Sequence, residues 1–370
     1  MHHFRLIDVL RIVAFNLIVF HHLAFYGPMA DHVRGMLPDL IDWLAGPARI
    51  VVQIFLVIAG FLAARSFCPH GVPEKVQPLR AGVRRFLKLA PPFIVAMALA
   101  VFASMLASMW MDHYSLTAFP DWRQVLAHAL LLHDVLSVES LSAGAWYVAI
   151  DFQLYLLLAC VLRFAAGAST EAGKRHAAHI LVATGVAASL FYFNRDAGWD
   201  AWAIYFFGSY GLGVLAWWTV QEKNGAYRTA SLLALMLLVG GLALLMEFRG
   251  RIALALATAL LLALVYRFHA ARPSRHGNIA RPWTAVQYFG RISYAVFLVH
   301  FPVCLLVNAA FTRFGEASAF VQGCGMLLAW CASIAAGGAF HRWVEIPLGR
   351  LVTQGRPGER AGRAVPPLAT

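Results

Sequence analysis

The stretch LIDVLRIVAFNLIVFHHLAFYG, residues 6–27, decides the class of this protein. A helix needs about 20 mostly apolar residues to cross a lipid bilayer, and this run has that length. Nine similar runs follow, near residues 46–67, 87–109, 145–166, 177–194, 199–220, 229–247, 251–268, 287–311 and 318–340. Only 13% of the residues are charged and 61% are hydrophobic, whereas soluble domains are about a quarter charged. The sequence therefore predicts an all-α polytopic membrane protein with about ten transmembrane helices.

The distribution of basic residues predicts how the chain crosses the membrane. Of the 30 Lys and Arg residues, 23 fall in one alternate set of segments and seven in the other. Because cytoplasmic loops are enriched in Lys and Arg, we expect the N-terminus and the C-terminus in the cytoplasm. We expect residues 1–350 to form one transmembrane domain without a cleaved signal peptide. Residues 351–370, rich in Gly, Pro and Arg, are expected to form a disordered cytoplasmic tail.

One long connection, residues 110–144, is expected on the outer side of the membrane. It contains several carboxylates and histidines, and an apolar run at 125–132 that is too short to span the bilayer. We expect that run to lie in the interface or to re-enter the membrane.

The composition and the missing motifs exclude several classes of function. The net charge of +12 reflects basic loops on one side of a membrane rather than a nucleic-acid surface. The five cysteines are scattered without a CxxC motif, so we expect no disulfide framework and no metal site. The sequence has no Walker loop, no GxSxG and no HExxH, and it shows no internal repeat. Most secondary transporters are built from repeats, so their folds lose support.

The first predicted helix carries polar residues that lipid would not tolerate. Arg11 and His22 are 11 residues apart, which places them about 20° apart around a helix and about 16 Å apart along it. Asp8 shares that face, whereas His21 lies off it. Ionisable groups inside a membrane are costly and usually functional. We therefore predict that this face lines a functional path, and the alternative is a buried His22 bonded to a neighbouring helix.

A cationic segment begins the third predicted span. Arg84, Arg85 and Lys88 share one broad helix face, because they are spaced by three and four residues. Such clusters usually anchor a protein to anionic lipid. The second interpretation is that they bind the phosphates of a cytoplasmic ligand such as coenzyme A.

A polar stripe begins the fourth predicted span, directly after Trp146. Tyr147, Asp151 and Tyr155 recur every four residues and therefore share one face. Asp151 is expected to orient a histidine or to bind a sugar hydroxyl, and the alternative is a packing ion pair with an arginine.

His300 lies deep in an apolar run, two residues before Pro302. It is a candidate pocket residue, and the alternative is that it bonds a backbone carbonyl freed by the proline. Near the end of the last span, Arg342 and Glu345 are spaced for a local ion pair.

Taken in order, these segments resemble the acyltransferase-3 family of bacterial integral-membrane O-acyltransferases. The first helix of that family has Arg and His placed like Arg11 and the His21–His22 pair. Its closing motif, R-x-x-E-x-P, is similar to residues 342–347. Further segments are similar to the family's FFxxSGF, basic third-helix, W-x-L-x-x-E-x-x-Y-L, F-x-x-G and S-Y-x-x-Y-L-x-H-x-P motifs. They are residues 55–62, 84–92, 146–155, 205–208 and 292–302. Four positions depart from the family pattern, with Ala59 for Ser, Lys88 for Arg, Asp151 for Glu and Phe297 for Tyr.

The resemblance implies an O-acetyltransferase type of enzyme in the bacterial inner membrane. It would move an acyl group, often acetyl, from cytoplasmic acyl-coenzyme A to a hydroxyl of an extracytoplasmic or lipid-linked glycan. No bound cofactor or metal is expected, and the expected partners are acyl-CoA, a hydroxyl acceptor and the lipid bilayer. A transporter or flippase without covalent chemistry is the competing class, and a non-catalytic scaffold is a third.

The predicted site has three parts under this resemblance. We expect His22 to act as general base and Arg11 to hold the donor or stabilise developing charge. The predicted catalytic residues are His22, Arg11, Asp8 and Asp151. The predicted acyl-CoA-binding residues are Arg84, Arg85 and Lys88, and the predicted acceptor or pocket residues are Trp146, Tyr147, Tyr155 and His300.

Overall fold

The computed structural model describes residues 5–74, 76–221, 225–270 and 284–354. Within those ranges the regular structure is entirely helical. The α-helices are α1 (Arg5–Phe25), α2 (Pro28–Arg34), α3 (Pro38–Ala45), α4 (Val52–Phe67), α5 (Pro78–Ala107), α6 (Trp122–Ala129), α7 (Ala145–Ala165), α8 (Glu171–Phe191), α9 (Ala203–Thr219), α10 (Ala226–Met246), α11 (Gly250–Ala270), α12 (Thr284–Phe314), α13 (Ala319–Phe340) and α14 (Ile346–Gln354). Short 3₁₀ segments lie at Pro47–Val51, Phe193–Arg195 and Ala197–Trp199, and a π-helical turn at His341–Glu345 joins α13 to α14.

Nine helical segments in the described ranges are long and apolar enough to cross a membrane. The remaining predicted span, residues 199–220, contains α9, which has 17 residues and is therefore about 26 Å long. That length falls short of the roughly 30 Å hydrocarbon core of a bilayer. Nearly all of α9 is buried by neighbouring helices, so it lies inside the bundle. The all-α polytopic class is confirmed, and the orientation of the termini stays a prediction.

The packing of α9 depends on close backbone approach to α4. A Cβ atom added at Gly60 of α4 would collide with the carbonyl group of Tyr210, and one at Gly213 of α9 with the carbonyl group of Val57. Small residues let helix backbones meet in membranes, where van der Waals packing replaces the hydrophobic driving force. Glycine at these two positions therefore fixes α4 against the buried α9.

The helix α5 begins earlier than the apolar run that predicts it. It starts at Pro78, where the missing N–H costs nothing, and continues through Pro91 and Pro92 for 30 residues. The cationic segment of residues 84–88 consequently lies inside the helix rather than before it. This placement lets Arg85 reach Asp151 of α7, while Arg84 and Lys88 remain exposed.

The helix α12 organises the site. It packs on α1, α5 and α13, while α7 packs on α5 and α9. The eight-residue α6 contains most of the apolar run at 125–132 and is too short to span the bilayer, as predicted. At the end of the described chain α14 reaches Gln354, and the rest of the predicted tail lies outside the described residues.

Candidate active site

The centre of the site is a pair of histidines from α1 and α12. The Nδ1 atom of His22 lies 2.6 Å from the Nε2 atom of His300. The two ring planes are 16° apart and their centroids are 4.9 Å apart, so the rings are nearly coplanar and meet at their nitrogen edges. His300 is fully buried, and His22 keeps 7% of its surface exposed. The sequence placed both residues in the site but did not predict that they meet.

His21 is turned away from this pair. Its Nδ1 atom lies 2.8 Å from the carbonyl oxygen of Leu44 in α3. This contact agrees with the helical geometry that put His22, and not His21, on the face of Arg11.

His300 also contacts the backbone of its own helix. Its Nδ1 atom lies 2.8 Å from the carbonyl oxygen of Phe297 and 3.2 Å from that of Val296. Pro302 frees the carbonyl of Leu298, four residues before it. The expected bond from His300 to a helix carbonyl is therefore present, but it goes to neighbours of the freed carbonyl.

A cluster of cations from α1 and α5 lies toward the other end of α1. The guanidinium of Arg85 donates to one carboxylate oxygen of Asp151, from Nε at 3.1 Å and also from Nη2. Arg11 and Lys88 both interact electrostatically with Arg85 and with each other. We call Arg11, Arg85 and Lys88 the basic cluster. The sequence assigned Arg11 to catalysis and the other two to donor binding, and the structure brings all three together.

The two predicted catalytic carboxylates belong to this end of the site. Asp151 is held by Arg85, which is the packing ion pair that the sequence left as its alternative. Asp8 interacts with Arg11 and packs against Gly290 of α12. It lies 14 residues before His22 in α1, a distance of about 21 Å. These positions leave both carboxylates outside the surroundings of His22.

An aromatic layer separates the basic cluster from the histidine pair. We define it as the rings of Phe55, Tyr147 and Phe297, whose centroids are 5.3–6.1 Å apart. On one side, Phe297 lies 6.0 Å from His300. On the other side, Tyr147 interacts electrostatically with Arg11, Arg85 and Asp151. The polar face of α1 is therefore bordered by one continuous column of side chains.

The other predicted pocket residues lie elsewhere. The ring of Tyr155 lies 5.1 Å from the guanidinium carbon of Arg85, which confirms the shared stripe with Asp151. Trp146 instead stacks on Phe206 of α9, with centroids 5.4 Å apart. The four predicted acceptor residues are thus divided among the basic cluster, the aromatic layer, the histidine pair and α9.

Sequence reasoning missed two tyrosines beside the basic cluster, one buried and one partly buried. Tyr210 of α9 and Tyr294 of α12 both interact electrostatically with Arg85 and Asp151. Tyr294 belongs to the S-Y motif, so its sequence position offered a hint. The contribution of α9 was hidden, because nothing local indicates which helix face will meet α7.

The predicted ion pair between Arg342 and Glu345 is wrong. In the π-helical turn, Glu345 accepts a hydrogen bond from Nδ1 of His341 at 2.7 Å. The wider turn changes which side chains lie above one another, so the three-residue spacing of an α-helix no longer applies.

A cavity of about 410 Å³ opens at the end of α1 that follows His22. Arg34 joins two carboxylates there, with Nε 2.9 Å from Oδ1 of Asp42 and Nη1 3.1 Å from Oδ1 of Asp31. The Tyr114 hydroxyl donates to the carbonyl of Phe25. The residues that line this far-end cavity are Ala24, Phe25, Gly27, Asp31, Arg34, Asp42, Ala45, Gly46, His113 and Tyr114.

Two tyrosines connect the far-end cavity with the histidine pair. The ring of Tyr26 lies 5.3 Å from His22 and 6.5 Å from Tyr114, measured between centroids. The cavity carries two carboxylates and one guanidinium, and burial lowers the pKa of His113, which keeps that ring neutral near pH 7. Its charged lining therefore carries one net negative charge.

A separate cluster of histidines lies in the connection between α5 and α7. The rings of His128 and His133 stack with centroids 4.2 Å apart, and Phe93 stacks on both. Burial lowers the pKa of His133 to about 3 and, with repulsion from Asp200, raises the pKa of Asp134 to about 6. These groups are neutral at mildly acidic pH, which suits their packed surroundings.

Comparison with known proteins identifies the family. Residues 4–336 match the family model described as an acyltransferase domain, which is 333 of the 370 residues. The chain belongs to the acyltransferase-3 family. It is also 26% identical over 162 residues to the Regulator of hypoxia-inducible factor 1 of Caenorhabditis elegans. That alignment covers 41% of this chain and 32% of the nematode protein, so the chain spans about a third of its relative's length. No solved structure matches the chain.

Family membership makes this chain a membrane acyltransferase in general terms, and it confirms the family that the motifs predicted. Among the described residues, no group of three or more His, Cys, Asp or Glu side chains is placed to hold a metal ion.

Proposed function

We propose that this acyltransferase moves an acyl group, in the simplest case acetyl, from acyl-CoA to a hydroxyl of a glycan. The observation that carries this proposal is the single column from the basic cluster, through the aromatic layer, to the His22–His300 pair. The two ends of this column differ in chemistry, with cations for an anionic donor at one end and a neutral histidine pair for a hydroxyl at the other. A multi-pass protein of the bacterial inner membrane, with the basic cluster toward the cytoplasm, fits this arrangement.

The donor would bind at the basic end. Arg84 and Lys88 are exposed on α5, where phosphate groups can reach them, and Arg85 holds Asp151. Arg11 lies about 16 Å along α1 from His22, too far to stabilise charge at that histidine. Coenzyme A carries its thioester on a long pantetheine arm, remote from its phosphates. This separation favours donor binding for Arg11 and would bring the thioester toward His22.

The reaction would use His22 as general base. Neutral imidazole takes the proton of the acceptor hydroxyl while that oxygen forms a bond to the thioester carbonyl carbon. The carbon–sulfur bond then breaks, and the imidazolium returns the proton to the CoA sulfur. The products are an ester and free CoA thiol, so atoms and charges balance. General-base assistance contributes about 10²–10⁴-fold to such a step.

The acceptor would enter from the far-end cavity. Its carboxylates accept hydrogen bonds from hydroxyl groups, and Tyr114 offers an aromatic face. The net negative charge of its lining favours neutral or amine-bearing sugars over sugars that carry carboxylates. The proposed acceptor is therefore a glycan built from neutral or amine-bearing sugars.

Thiol release tests the proposal directly. Purified protein would be mixed with acetyl-CoA and a neutral glucan or chitosan oligosaccharide, and free thiol would be followed with a chromogenic disulfide. We expect acceptor-dependent thiol release that His22→Gln lowers by at least 10²-fold, with the ester detected by mass spectrometry. Arg11→Lys, which keeps charge but loses the guanidinium fork, should raise the KM for acetyl-CoA.

A transporter or flippase would give a different result. It would move a glycan across proteoliposomes without releasing thiol, and His22→Gln would leave the acetyl-CoA unconsumed as in the wild type. Acceptor-dependent transport with no ester formed would therefore overturn the enzymatic proposal.

A further inference from the structure

The hydrogen bonds of His300 determine which of its nitrogens carries the proton. A carbonyl oxygen accepts hydrogen bonds and cannot donate them. Because Nδ1 of His300 faces two carbonyl oxygens, at 2.8 and 3.2 Å, that nitrogen must bear the hydrogen. His300 has no exposed surface and lies inside an apolar span, where an isolated charge is costly, so the ring is neutral. Its Nε2 atom consequently has a free lone pair.

The tautomer of His300 fixes that of His22. The 2.6 Å contact joins Nε2 of His300 to Nδ1 of His22, and the acceptor in this bond is Nε2. Nδ1 of His22 must therefore be the donor and carry the hydrogen. In a neutral imidazole the other nitrogen is then the basic one.

The basic nitrogen of His22 is available to a substrate. Within the described part of the chain, the hydrogen bond formed by the His22 ring is the one at Nδ1. The rings of Tyr26 and Phe301 lie nearly perpendicular to this ring, with centroids 5.3 and 6.4 Å away. His22 as a residue keeps 7% of its surface exposed, whereas His300 keeps none.

We infer that His300 is a positioning residue that holds His22 as the Nδ1–H tautomer, so that Nε2 of His22 is the general base. The role of Nε2 as a base rests on the proposed function. The tautomer of His22 follows from the hydrogen bonds alone. The arrangement follows the logic of a catalytic triad, in which a third group orients the histidine. Here a neutral imidazole, held by the backbone of α12, replaces the usual carboxylate.

The hydrogen bond between His22 and His300 is kept at every protonation state of the proposed reaction. When Nε2 of His22 takes the hydroxyl proton, the ring becomes an imidazolium with hydrogens on both nitrogens. Its Nδ1–H still donates to Nε2 of His300, which stabilises the cation in an apolar span. When Nε2 gives the proton to the CoA sulfur, the starting tautomer is restored and no proton has moved to His300.

Three substitutions separate positioning from a structural role in α12. In His300→Gln the side-chain amide lies near the former Nε2 position and can accept a hydrogen bond from His22. In His300→Asn the amide lies near the former Nδ1 position and can only donate to the helix carbonyls. In His300→Leu the side chain can form neither hydrogen bond. We expect acceptor-dependent turnover to fall about 10²–10⁴-fold in the Leu and Asn variants, with an unchanged KM for acetyl-CoA and partial rescue in Gln.

The opposite order would overturn the inference. If Asn keeps as much turnover as Gln or more, the role of His300 is to bond the carbonyls of Val296 and Phe297 and not to position His22. Wild-type turnover in His300→Leu would overturn it as well.

A spectroscopic measurement keeps the test independent of activity and of how the variants fold. Nitrogen-15 NMR of histidine-labelled wild-type protein, with His22→Gln used to assign the signal, distinguishes a protonated Nδ1 from a protonated Nε2. We expect Nδ1–H at His22, and an Nε2–H signal would overturn the inference. If the Nδ1–H signal appears but no donor and acceptor pair is consumed, the positioning is supported and the proposed function fails.

Discussion

The ion pair between Arg85 and Asp151 offers the sharpest test of how the bundle is held together. The carboxylate side chain is only 6% exposed and the Arg85 side chain 24%, so each charge is stabilised mainly by its partner rather than by water. Asp151→Asn keeps the shape but removes the charge, leaving a buried guanidinium without its counter-ion. Breaking a buried pair in this way costs about 3–5 kcal/mol.

Paired substitutions separate this penalty from the worth of the interaction. Replacing both partners with apolar residues, as in Arg85→Met with Asp151→Leu, removes the desolvation cost together with the attraction. We expect that double variant to be within about 1 kcal/mol of wild type in unfolding free energy. Asp151→Glu is the matched control, because it keeps the charge and adds the methylene that relatives in the family usually have at this position.

Unfolding by sodium dodecyl sulfate in mixed micelles, followed by tryptophan fluorescence, measures these differences. The expected order of stability is wild type, then the double variant and Asp151→Glu close behind, with Asp151→Asn far below. A loss under about 1 kcal/mol for Asp151→Asn would refute the claim that the pair is buried and interdependent. A double variant as unstable as Asp151→Asn would show that packing, rather than the unpaired charge, is responsible.

Three further perturbations address the donor, the acceptor and the outer connection. Lys88→Gln should raise the KM for acetyl-CoA several-fold and weaken its salt dependence, whereas Lys174→Gln on α8 should change neither in the same thiol assay. Asp42→Asn should raise the acceptor KM about 10-fold with the donor KM unchanged, and Asp39→Asn on the same helix is the matched control. Because burial raises the pKa of Asp134 to about 6, the native carboxyl holds its proton to higher pH than the unfolded chain does. Wild-type stability should therefore fall between about pH 4 and pH 6, and Asp134→Asn should gain about 1–3 kcal/mol at pH 8 but almost nothing at pH 3 in thermal unfolding.

Much of the fold could be predicted because its causes are local. Each long apolar run became a helix, since a membrane leaves the backbone few other ways to satisfy its hydrogen bonds. The segment of α9 also became a helix, but with only 17 residues it does not have the length of a spanning helix. Nothing within that segment indicates that other helices bury it on all sides.

The candidate site divides in the same way. Helical spacing put Arg11 and His22 on one face of α1, and Tyr147, Asp151 and Tyr155 on one face of α7, because both spacings are close to whole helical turns. It gave no partner for any of them. The Arg85–Asp151 contact joins residues 66 positions apart, and the His22–His300 contact joins residues 278 apart.

The amino-acid pattern was enough to predict the membrane class, most of the spanning segments, the family and the polar residues able to do chemistry. Three contacts became visible only in the folded bundle: Asp151 accepts from Arg85, Arg11 lies with the cations of α5, and His22 meets a histidine. Hydropathy and helical period are properties of one segment, whereas these contacts join different segments. A hydrogen-bond partner, and with it the tautomer of His22, depends on how α1 and α12 cross.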